Sequence, residues 1–243
     1  MRLDKFMVST GKLSRSEAGR AARSGRITVN GVPEKKADRA IDPKVDQIAL
    51  DGEVLTYRRY TYVLLNKPDG YVSATEDTDD PTVITLLPDE LQRIGLFPCG
   101  RLDKHTLGLM LLTNDGPLSH RLLSPRRHVS KQYFYTSKFP LTADEIATLQ
   151  GGVTLEDGYV TLPAVIEQGE GEAQGTITLT EGKYHQIKRM FEAVHNKILT
   201  LERITFAHLT LDGLPERGMW RYLTDTEIER LRAHGQSGDS HIT

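Results

Sequence analysis

The first 55 residues of the chain contain two tight-turn motifs and one helix-capping motif. Turns and caps this close together allow only short helices and strands between them. Ser14-Arg15-Ser16-Glu17 can form a capping box, in which the serine hydroxyl and the glutamate carboxylate satisfy each other's free backbone N–H groups. Asn30-Gly31 and Asp51-Gly52 are typical of turns that connect hairpin strands. We therefore predict a small N-terminal module with helices at 3–9 and 14–24, and strands at 27–29, 47–50 and 54–55.

The same segment is basic. Residues 1–60 contain 13 Lys and Arg against 8 Asp and Glu, although the formal net charge of the whole chain is −2. A local positive field attracts a polyanion even when the total charge is close to zero. The charge distribution therefore indicates the N-terminal part of the chain as the first candidate for a nucleic-acid-binding surface.

Three segments of the module resemble the S4 RNA-binding domain, over roughly residues 1–50: Leu3–Phe6, Ser14–Ala18 and Gly25–Gly31. Domains of this family lay a basic helical face on structured RNA. A charged helix that only faces solvent is the alternative, and the order of motifs and turns favours RNA. The resemblance implies that phosphates contact Lys5, Arg15, Arg20, Arg23 and Arg26.

From Tyr60 onward, strand patterns alternate with short helices and turns, and Thr142 and Thr224 each begin a capped helix. The pattern predicts an α+β fold whose second part has a mixed, mainly antiparallel sheet. Strands are expected at 62–65, 109–113, 132–137, 176–179 and 199–204. We predict a small N-terminal α/β domain at 1–57, a larger domain at 58–232 and a disordered tail at 233–243.

Asp103 is the first candidate for chemistry. It lies in Gly100–Gly108, a glycine-bounded turn that precedes an apolar strand. An aspartate in such a turn commonly satisfies only its own loop backbone. A rigid loop can instead aim the carboxylate at a reacting carbon, as a nucleophile or a general base, and the nearby Arg101 can keep it ionised.

A second candidate segment begins at Glu181. An apolar stripe with helical spacing follows it, at Ile187, Met190, Phe191 and Val194. Lys188 and Arg189 fall in the first turns of this helix, where the helix dipole disfavours cations. They could receive a phosphate or stabilise a carboxylate, and an ordinary exposed basic pair is the alternative.

A third segment combines a basic turn with an aromatic strand. Arg126 and Arg127 precede Lys131–Tyr135, in which alternation places Tyr133 and Tyr135 on one face. Tyrosine beside cations can stack on a base that has left its helix, whereas an aromatic strand on its own is more often part of a core.

Taken in order, these segments resemble the RsuA-type family of pseudouridine synthases, from residue 1 to about residue 232. The matching residues are Asn66–Tyr71, Phe97–Asp103, Thr106, Leu112–Gly116, Lys131, Tyr133, Glu181–Met190, Arg203, Trp220 and Arg221. The resemblance implies an enzyme that isomerises a uridine of ribosomal RNA to pseudouridine without a cofactor. The domain at 58–232 would then be its catalytic domain.

The family resemblance also implies roles for single residues. Asp103 would be the catalytic residue, Tyr133 would stack on the target base, and Arg101 would hold the displaced nucleotide or the helix it left. Either Lys188 or Arg189 would pair with Asp103, and the spacing from His185 favours Lys188. Arg126 and Arg127 are expected to contact RNA.

Two residues depart from the family pattern. His195 stands where a glycine is expected after the helix, and Ala207 stands where a glycine is expected after the strand that contains Arg203. Both departures concern loop geometry and RNA contacts, and neither concerns Asp103.

The motifs closest to the small-subunit branch of the family, such as Tyr184-His185-Gln186, imply position 516 of 16S rRNA as the target. A synthase for large-subunit 23S rRNA and a non-catalytic RNA-binding factor stay open as alternatives. A glycosidase would need a pair of carboxylates at a defined separation, and no second acid has a setting like that of Asp103.

A single cysteine, Cys99, and eight histidines without ligand spacing predict no structural metal. The chain begins without an apolar leader segment and contains no uncharged apolar run near the roughly 20 residues that span a bilayer. We therefore expect a cytoplasmic protein that does not bind membranes. The family resemblance implies ribosomal RNA as its partner, and we expect the protein to act as a monomer.

Overall fold

The computed structural model of the chain describes residues 1–234. Its helices are α1 Leu3–Ser9, α2 Arg15–Arg23, α3 Asp89–Gln92, α4 Gly116–Leu123, α5 Ala143–Gly151, α6 Gln186–Ala193 and α7 Asp225–His234. Short 3-10 helices lie at Val83–Leu86 and Pro125–Arg127. The disordered tail predicted at 233–243 lies outside the described residues except for its first two positions, which continue α7.

Thirteen strands are described in the same range. They are β1 Ile27–Val29, β2 Val32–Pro33, β3 Ile48–Leu50, β4 Glu53–Leu55, β5 Tyr62–Lys67, β6 Phe97–Pro98, β7 Leu107–Thr113, β8 Lys131–Ser137, β9 Val165–Gln168, β10 Gln174–Leu179, β11 Ile198–Phe206, β12 Leu209–Thr210 and β13 Trp220–Tyr222. Every strand expected from the sequence is present, and several are longer than expected.

The chain divides into two compact units. The first comprises Met1–Thr61 and Ile84–Phe97, and contains an antiparallel sheet in the order β2-β1-β3-β4 with α1 and α2 packed on each other. The capping box predicted at Ser14 is formed. The two turn pairs have positive φ, as this kind of hairpin requires. The core of this unit is built from Leu3, Phe6, Met7, Ala18, Ala21, Ala22, Ile27, Val29 and Ile48.

A segment from later in the chain completes this first unit. A Cβ atom on Gly11, whose φ is +74°, would lie 2.0 Å from the carbonyl oxygen of Glu90, so only glycine permits this approach. The Lys12 ammonium lies 3.0 Å from a Glu90 carboxylate oxygen and 3.5 Å from one of Glu53. The domain boundary predicted at residue 57 does not include this later segment, Ile84–Phe97, in the first unit.

The second unit comprises Tyr62–Val83 and the described chain from Pro98 to His234. Its strands follow the order β13-β5-β7-β11-β8-β10-β9, and only the β7–β11 pair is parallel. The predicted mixed, mainly antiparallel sheet is therefore confirmed. A Cβ atom on Gly108 would lie 2.3 Å from the carbonyl oxygen of Arg203, so this glycine allows β7 and β11 to approach closely.

Local capping explains where two helices of this unit begin. The Thr142 hydroxyl accepts from the backbone N–H of Glu145, whose carboxylate accepts from the backbone N–H of Thr142. Thr224 and Glu227 make the same reciprocal bonds at the start of α7. These two predicted capping boxes satisfy backbone donors that the first helical turn leaves free.

The two residues that replace expected glycines lie in glycine-like backbone conformations. The φ angle is +57° at His195 and +54° at Ala207. The loops therefore keep the left-handed conformation, with side chains that disfavour it.

Between residues 1 and 234, no helix is both long and apolar enough to cross a bilayer. Over the same range, no three His, Cys, Asp or Glu side chains form a group that could hold a metal ion.

Candidate active site

A cavity of about 800 Å³ lies in the second unit, with β8, β10, β11 and the start of α6 in its wall. Of the residues singled out from the sequence, it brings together Arg101, Asp103, Tyr133 and Lys188. These residues come from three separate stretches of the chain. The sheet and α6 therefore bring these four residues to one cavity.

A buried lysine organises the loop that carries Asp103. Lys67, at the end of β5, has no exposed surface, and its ammonium donates to the backbone oxygens of Pro68, Lys104 and Thr106 over 3.1, 2.9 and 2.9 Å. Burial lowers the pKa of Lys67 to about 8. The side chain is therefore still mostly protonated at neutral pH and can use all three donors.

The residues on either side of Asp103 are also hydrogen-bonded. The Ser73 hydroxyl donates to the carbonyl of Leu102 over 2.7 Å and accepts from its N–H over 2.9 Å. The N–H of Thr106 donates to the backbone oxygen of Asp103 over 3.0 Å. The loop is therefore fixed on both sides of the carboxylate, as a positioned nucleophile or base requires.

Two side chains at the start of α6 flank the Asp103 carboxylate. The Lys188 ammonium donates to Oδ2 over 2.7 Å, and Nε2 of His185 lies 3.4 Å from Oδ1. The Asp103 side chain is 29% exposed, so it stays accessible from the cavity. His185 was not predicted as a site residue, and its left-handed φ of +47°, which turns it toward Asp103, has no signal in the sequence.

The structure distinguishes the two adjacent cations of α6. Arg189 pairs with Asp157 over 2.7 Å and is not among the residues that line the cavity. Lys188 is therefore the cation that contacts Asp103. The placement of Arg189 does not fit the active-site role expected for it.

Buried polar bonds also stabilise the cavity wall around Glu181. The Glu181 carboxylate, only 6% exposed, accepts from the Tyr159 hydroxyl over 2.6 Å, the N–H of Leu162 over 2.8 Å and the Gln186 amide over 2.6 Å. The Lys183 ammonium lies 4.4 Å from the centre of the Tyr159 ring. Glu181 therefore links the segment before α6 to the loop that contains Tyr159.

The two tyrosines of β8 lie on the same face of the strand but have different surroundings. Tyr133 lines the cavity, whereas Tyr135 is buried and packs edge-on against Phe191 of α6 at 4.8 Å between ring centres. Tyr184 lines the cavity as well, is 69% exposed and stacks on His185 at 3.9 Å with 17° between the ring planes. Tyr133 therefore contributes a buried ring to the cavity wall, and Tyr184 contributes a ring exposed to solvent.

The remaining predicted RNA contacts occupy different settings. Arg101 is exposed and lines the cavity. Arg126 is exposed and Arg127 half-buried, and neither lines the cavity, although Ser124 and His128 from the same turn do. This turn is therefore at the cavity, with its two arginines directed elsewhere.

In the first unit, all five predicted RNA-binding residues are exposed. Arg26 donates to Asp51 over 2.8 Å through Nε and is engaged within the protein. Among the described residues, no carboxylate forms an ion pair with Lys5, Arg15, Arg20 or Arg23. Four of the five cations are therefore available to a polyanion.

Comparison with known families agrees with this arrangement. The family model described as RNA pseudouridylate synthase matches residues 61–193, and the S4 domain model matches residues 1–46. The fold and the site thus define an RNA-modifying enzyme with an N-terminal S4 domain.

Individual relatives extend the match over nearly the whole chain. An uncharacterized RNA pseudouridine synthase of Bacillus subtilis, YtzG, is 42% identical over 95% of this chain and 98% of its own. Ribosomal small subunit pseudouridine synthase A of Escherichia coli is 42% identical over 94% of this chain and 98% of its own. A crystal structure of a pseudouridylate synthase is 37% identical, covers 95% of this chain and 99% of that one, and superposes with a TM-score of 0.67. The chain belongs to the RNA pseudouridylate synthase family.

Proposed function

We propose that this chain isomerises one uridine of small-subunit ribosomal RNA, at position 516 of 16S rRNA, with Asp103 as the catalytic residue. The observation that carries the proposal is the Asp103 carboxylate, which opens on a cavity of about 800 Å³ and accepts from Lys188 over 2.7 Å. The hydrogen bond from this cation fixes the orientation of the carboxylate.

The reaction breaks the bond between C1′ of the ribose and N1 of uracil, turns the base and joins C1′ to C5. Asp103 attacks the sugar or removes a sugar proton, and both routes need an ionised carboxylate. Lys188 acts as a positioning residue for Asp103, and Tyr133 stacks on the base. Isomerisation involves no net redox change or group transfer, so these side chains suffice without a cofactor.

RNA must be held while the target nucleotide leaves its helix. Extruding a base costs a few kcal/mol of stacking and pairing, which contacts elsewhere must offset. Arg101 at the cavity binds the displaced nucleotide or the helix it left. The unpaired cations of the S4 domain, together with Arg126 and Arg127, bind phosphates of the surrounding RNA.

The substrate assignment is supported by the 42% identity to the Escherichia coli enzyme whose name specifies the small ribosomal subunit. The alternative is that the enzyme modifies large-subunit rRNA, as another synthase of the same family. A non-catalytic RNA-binding factor is disfavoured, because Asp103, Lys188 and Tyr133 all line one cavity.

The catalytic role is tested by replacing Asp103 with Asn, which keeps the size of the side chain and removes its charge. Tritium release from RNA labelled at C5 of uridine should become undetectable, while RNA affinity stays within a few fold. Asp157→Asn is the matched control, because Asp157 pairs with Arg189 outside the cavity. Turnover by the Asp103→Asn enzyme would contradict the proposal.

The target is tested with purified enzyme on full-length 16S and 23S transcripts and on small-subunit assembly particles. Pseudouridines are mapped by chemical modification followed by primer extension. A single new stop at position 516 of 16S RNA is expected. A stop in 23S RNA alone would favour the large-subunit alternative.

Because the proposed substrate is ribosomal RNA, we place the enzyme in the cytoplasm. We also propose that it acts as a monomer. Asp103 and its partners all come from one chain, so the cavity needs no second copy to be complete. Light scattering of the purified enzyme, alone and with RNA, tests the monomer.

A further inference from the structure

Two cations in the cavity wall are withdrawn from solvent and yet, among the described residues, have no carboxylate partner. Arg203 is 2% exposed, and its Nε donates to the backbone oxygen of Leu109 over 2.7 Å. The Lys131 ammonium donates to the backbone oxygen of Val129 over 2.9 Å. Within residues 1–234, neither forms an ion pair, and both line the cavity.

Strand register places these cations beside Tyr133. Lys131 and Tyr133 are two residues apart on β8 and therefore share a face. Arg203 lies directly opposite Tyr133 in the antiparallel β8–β11 pair, so its side chain emerges on that face as well. The ring proposed to stack on the uracil is therefore next to both positive charges.

Burying the like charges of Lys131 and Arg203 next to each other is energetically unfavourable. Burial, and then the charge of Arg203, lower the pKa of Lys131 to about 8. Cys99 and then Glu181 contribute smaller opposing effects, but Glu181 forms no ion pair with Lys131, and its oxygens accept from three other donors. The positive field at this part of the cavity is thus not neutralised by the protein, which favours an anion there.

The reaction itself generates an anion at this place. When the C1′–N1 bond breaks, its electron pair stays on the base and spreads from N1 onto O2 and O4. This follows whether Asp103 forms a bond to C1′ or removes a sugar proton. The base becomes neutral when C5 donates an electron pair to C1′, which displaces Asp103 or accompanies return of the sugar proton. C5 then loses one proton and N1 gains one, which completes the pseudouridine.

We propose that Lys131 and Arg203 stabilise the detached uracil anion and so act as further catalytic residues. The inference rests on the proposed function and adds residues to its first step. Both groups act by charge and keep their protons throughout. Their interaction with the neutral uracil of the bound substrate is weak and becomes strong as the bond breaks, which is the condition for lowering a barrier.

The test compares two leaving groups in single-turnover reactions on the same RNA, with uridine or 5-fluorouridine at the target position. Fluorine withdraws electrons and makes the detached base a more stable anion, so it needs less help from the protein. Consumption of the target nucleoside is followed by nuclease digestion and chromatography. This readout does not require the loss of a proton from C5.

Arg203→Met should slow conversion of uridine by about 10²- to 10³-fold and conversion of 5-fluorouridine much less. Arg203→Lys should recover part of the rate on uridine. Lys131→Met should show the same dependence on the leaving group and serves as the test if Arg203→Met does not fold. Lys138→Met is the matched control, because Lys138 is exposed, follows β8 directly and does not line the cavity.

Equal losses on the two substrates in folded variants, as judged by unchanged melting temperatures, would overturn the inference and indicate a structural role for the cations. That result is distinct from failure of the proposed function, in which the unaltered enzyme would convert neither substrate. Asp103→Asn should be inactive on both.

Discussion

The ammonium of Lys188 lies 2.7 Å from Oδ2 of Asp103, although 85 positions separate the two residues in the chain. The next residue, Arg189, pairs instead with Asp157 over the same distance. Adjacent cations on one short helix therefore have different partners, one lining the cavity and one outside its wall. This difference makes Arg189 an internal control for Lys188.

Lys188→Met should lower kcat by about 10²- to 10³-fold, because the Asp103 carboxylate loses the hydrogen-bonded cation that orients it. RNA affinity should stay within a few fold, since the lost contact is internal. Arg189→Met should change kcat less than about threefold. Steady-state tritium release and filter binding measure the two quantities, and equal losses in both variants would contradict a specific role for Lys188.

Combined replacement of Lys5, Arg15, Arg20 and Arg23 by Gln should weaken rRNA binding and flatten its salt dependence. Each lost phosphate contact lowers the slope of log affinity against log salt by about 1, because fewer counterions are released. Arg26→Gln should change the slope less than one of these single replacements, because Arg26 is already bound to Asp51. An unchanged slope in the fourfold variant would show that RNA does not bind this face.

Tyr184→Ala should raise KM for rRNA about 5- to 150-fold and leave kcat nearly unchanged. An aromatic ring that is 69% exposed at a cavity for a displaced nucleotide can stack on a neighbouring base, and such stacking contributes about 1–3 kcal/mol. Tyr184→Phe should behave like the unaltered enzyme, because the ring and its stack on His185 remain. A fall in kcat alone would point instead to a disturbance of His185.

The sequence predicts well those features that depend on neighbouring residues. The capping boxes at Ser14, Thr142 and Thr224 and the hairpin turns are formed, because each needs only a few consecutive residues in the right order. The alternation in β8 likewise predicts that Tyr133 and Tyr135 share a face. It does not predict that one lines the cavity while the other packs in the core, since that depends on α6.

Apart from the pairing of Lys188 with Asp103, which the family resemblance implied, several features that depend on distant contacts were not predicted. The approach of His185 to Asp103 requires a left-handed backbone that no residue in the segment specifies. The unpaired charge of Arg203 is visible only when the lack of a carboxylate around it is known. The return of Ile84–Phe97 to the first unit depends on contacts such as Lys12 with Glu90, across almost 80 positions of the chain.

Stability should depend on Glu227 in acid. The Arg221 guanidinium and bonds from Thr224 lower the pKa of Glu227 to about 2, from an ordinary value of 4.5. The contribution of the carboxylate is therefore complete above about pH 4.5 and is lost as the pH falls toward 2. Glu227→Gln should cost about 1–2 kcal/mol at pH 7, after allowance for partial exposure, and nothing near pH 2.

Urea unfolding at several pH values tests this dependence, with fluorescence of Trp220, the only tryptophan in the chain, as the probe. Trp220 lies in β13, directly before Arg221, and so reports on the second unit. Glu229→Gln is the control, because Glu229 is exposed on the same helix. A cost that does not change with pH would show that the ion pair does not determine the pKa of Glu227.

Glycine at the two positions that depart from the family pattern should stabilise the fold. Ala207 and His195 hold φ angles of +54° and +57°, a conformation that costs an ordinary residue about 1–2 kcal/mol and glycine almost nothing. Glycine also makes the unfolded chain more flexible, which offsets part of this gain. We expect Ala207→Gly and His195→Gly each to raise the free energy of unfolding by about 0.5–1 kcal/mol.

Ala193→Gly, at the end of α6, is the control and should instead lower the free energy of unfolding by up to about 1 kcal/mol. Urea unfolding of the three variants separates the effects, and destabilisation by Ala207→Gly would mean that the alanine side chain makes contacts worth more than the backbone strain.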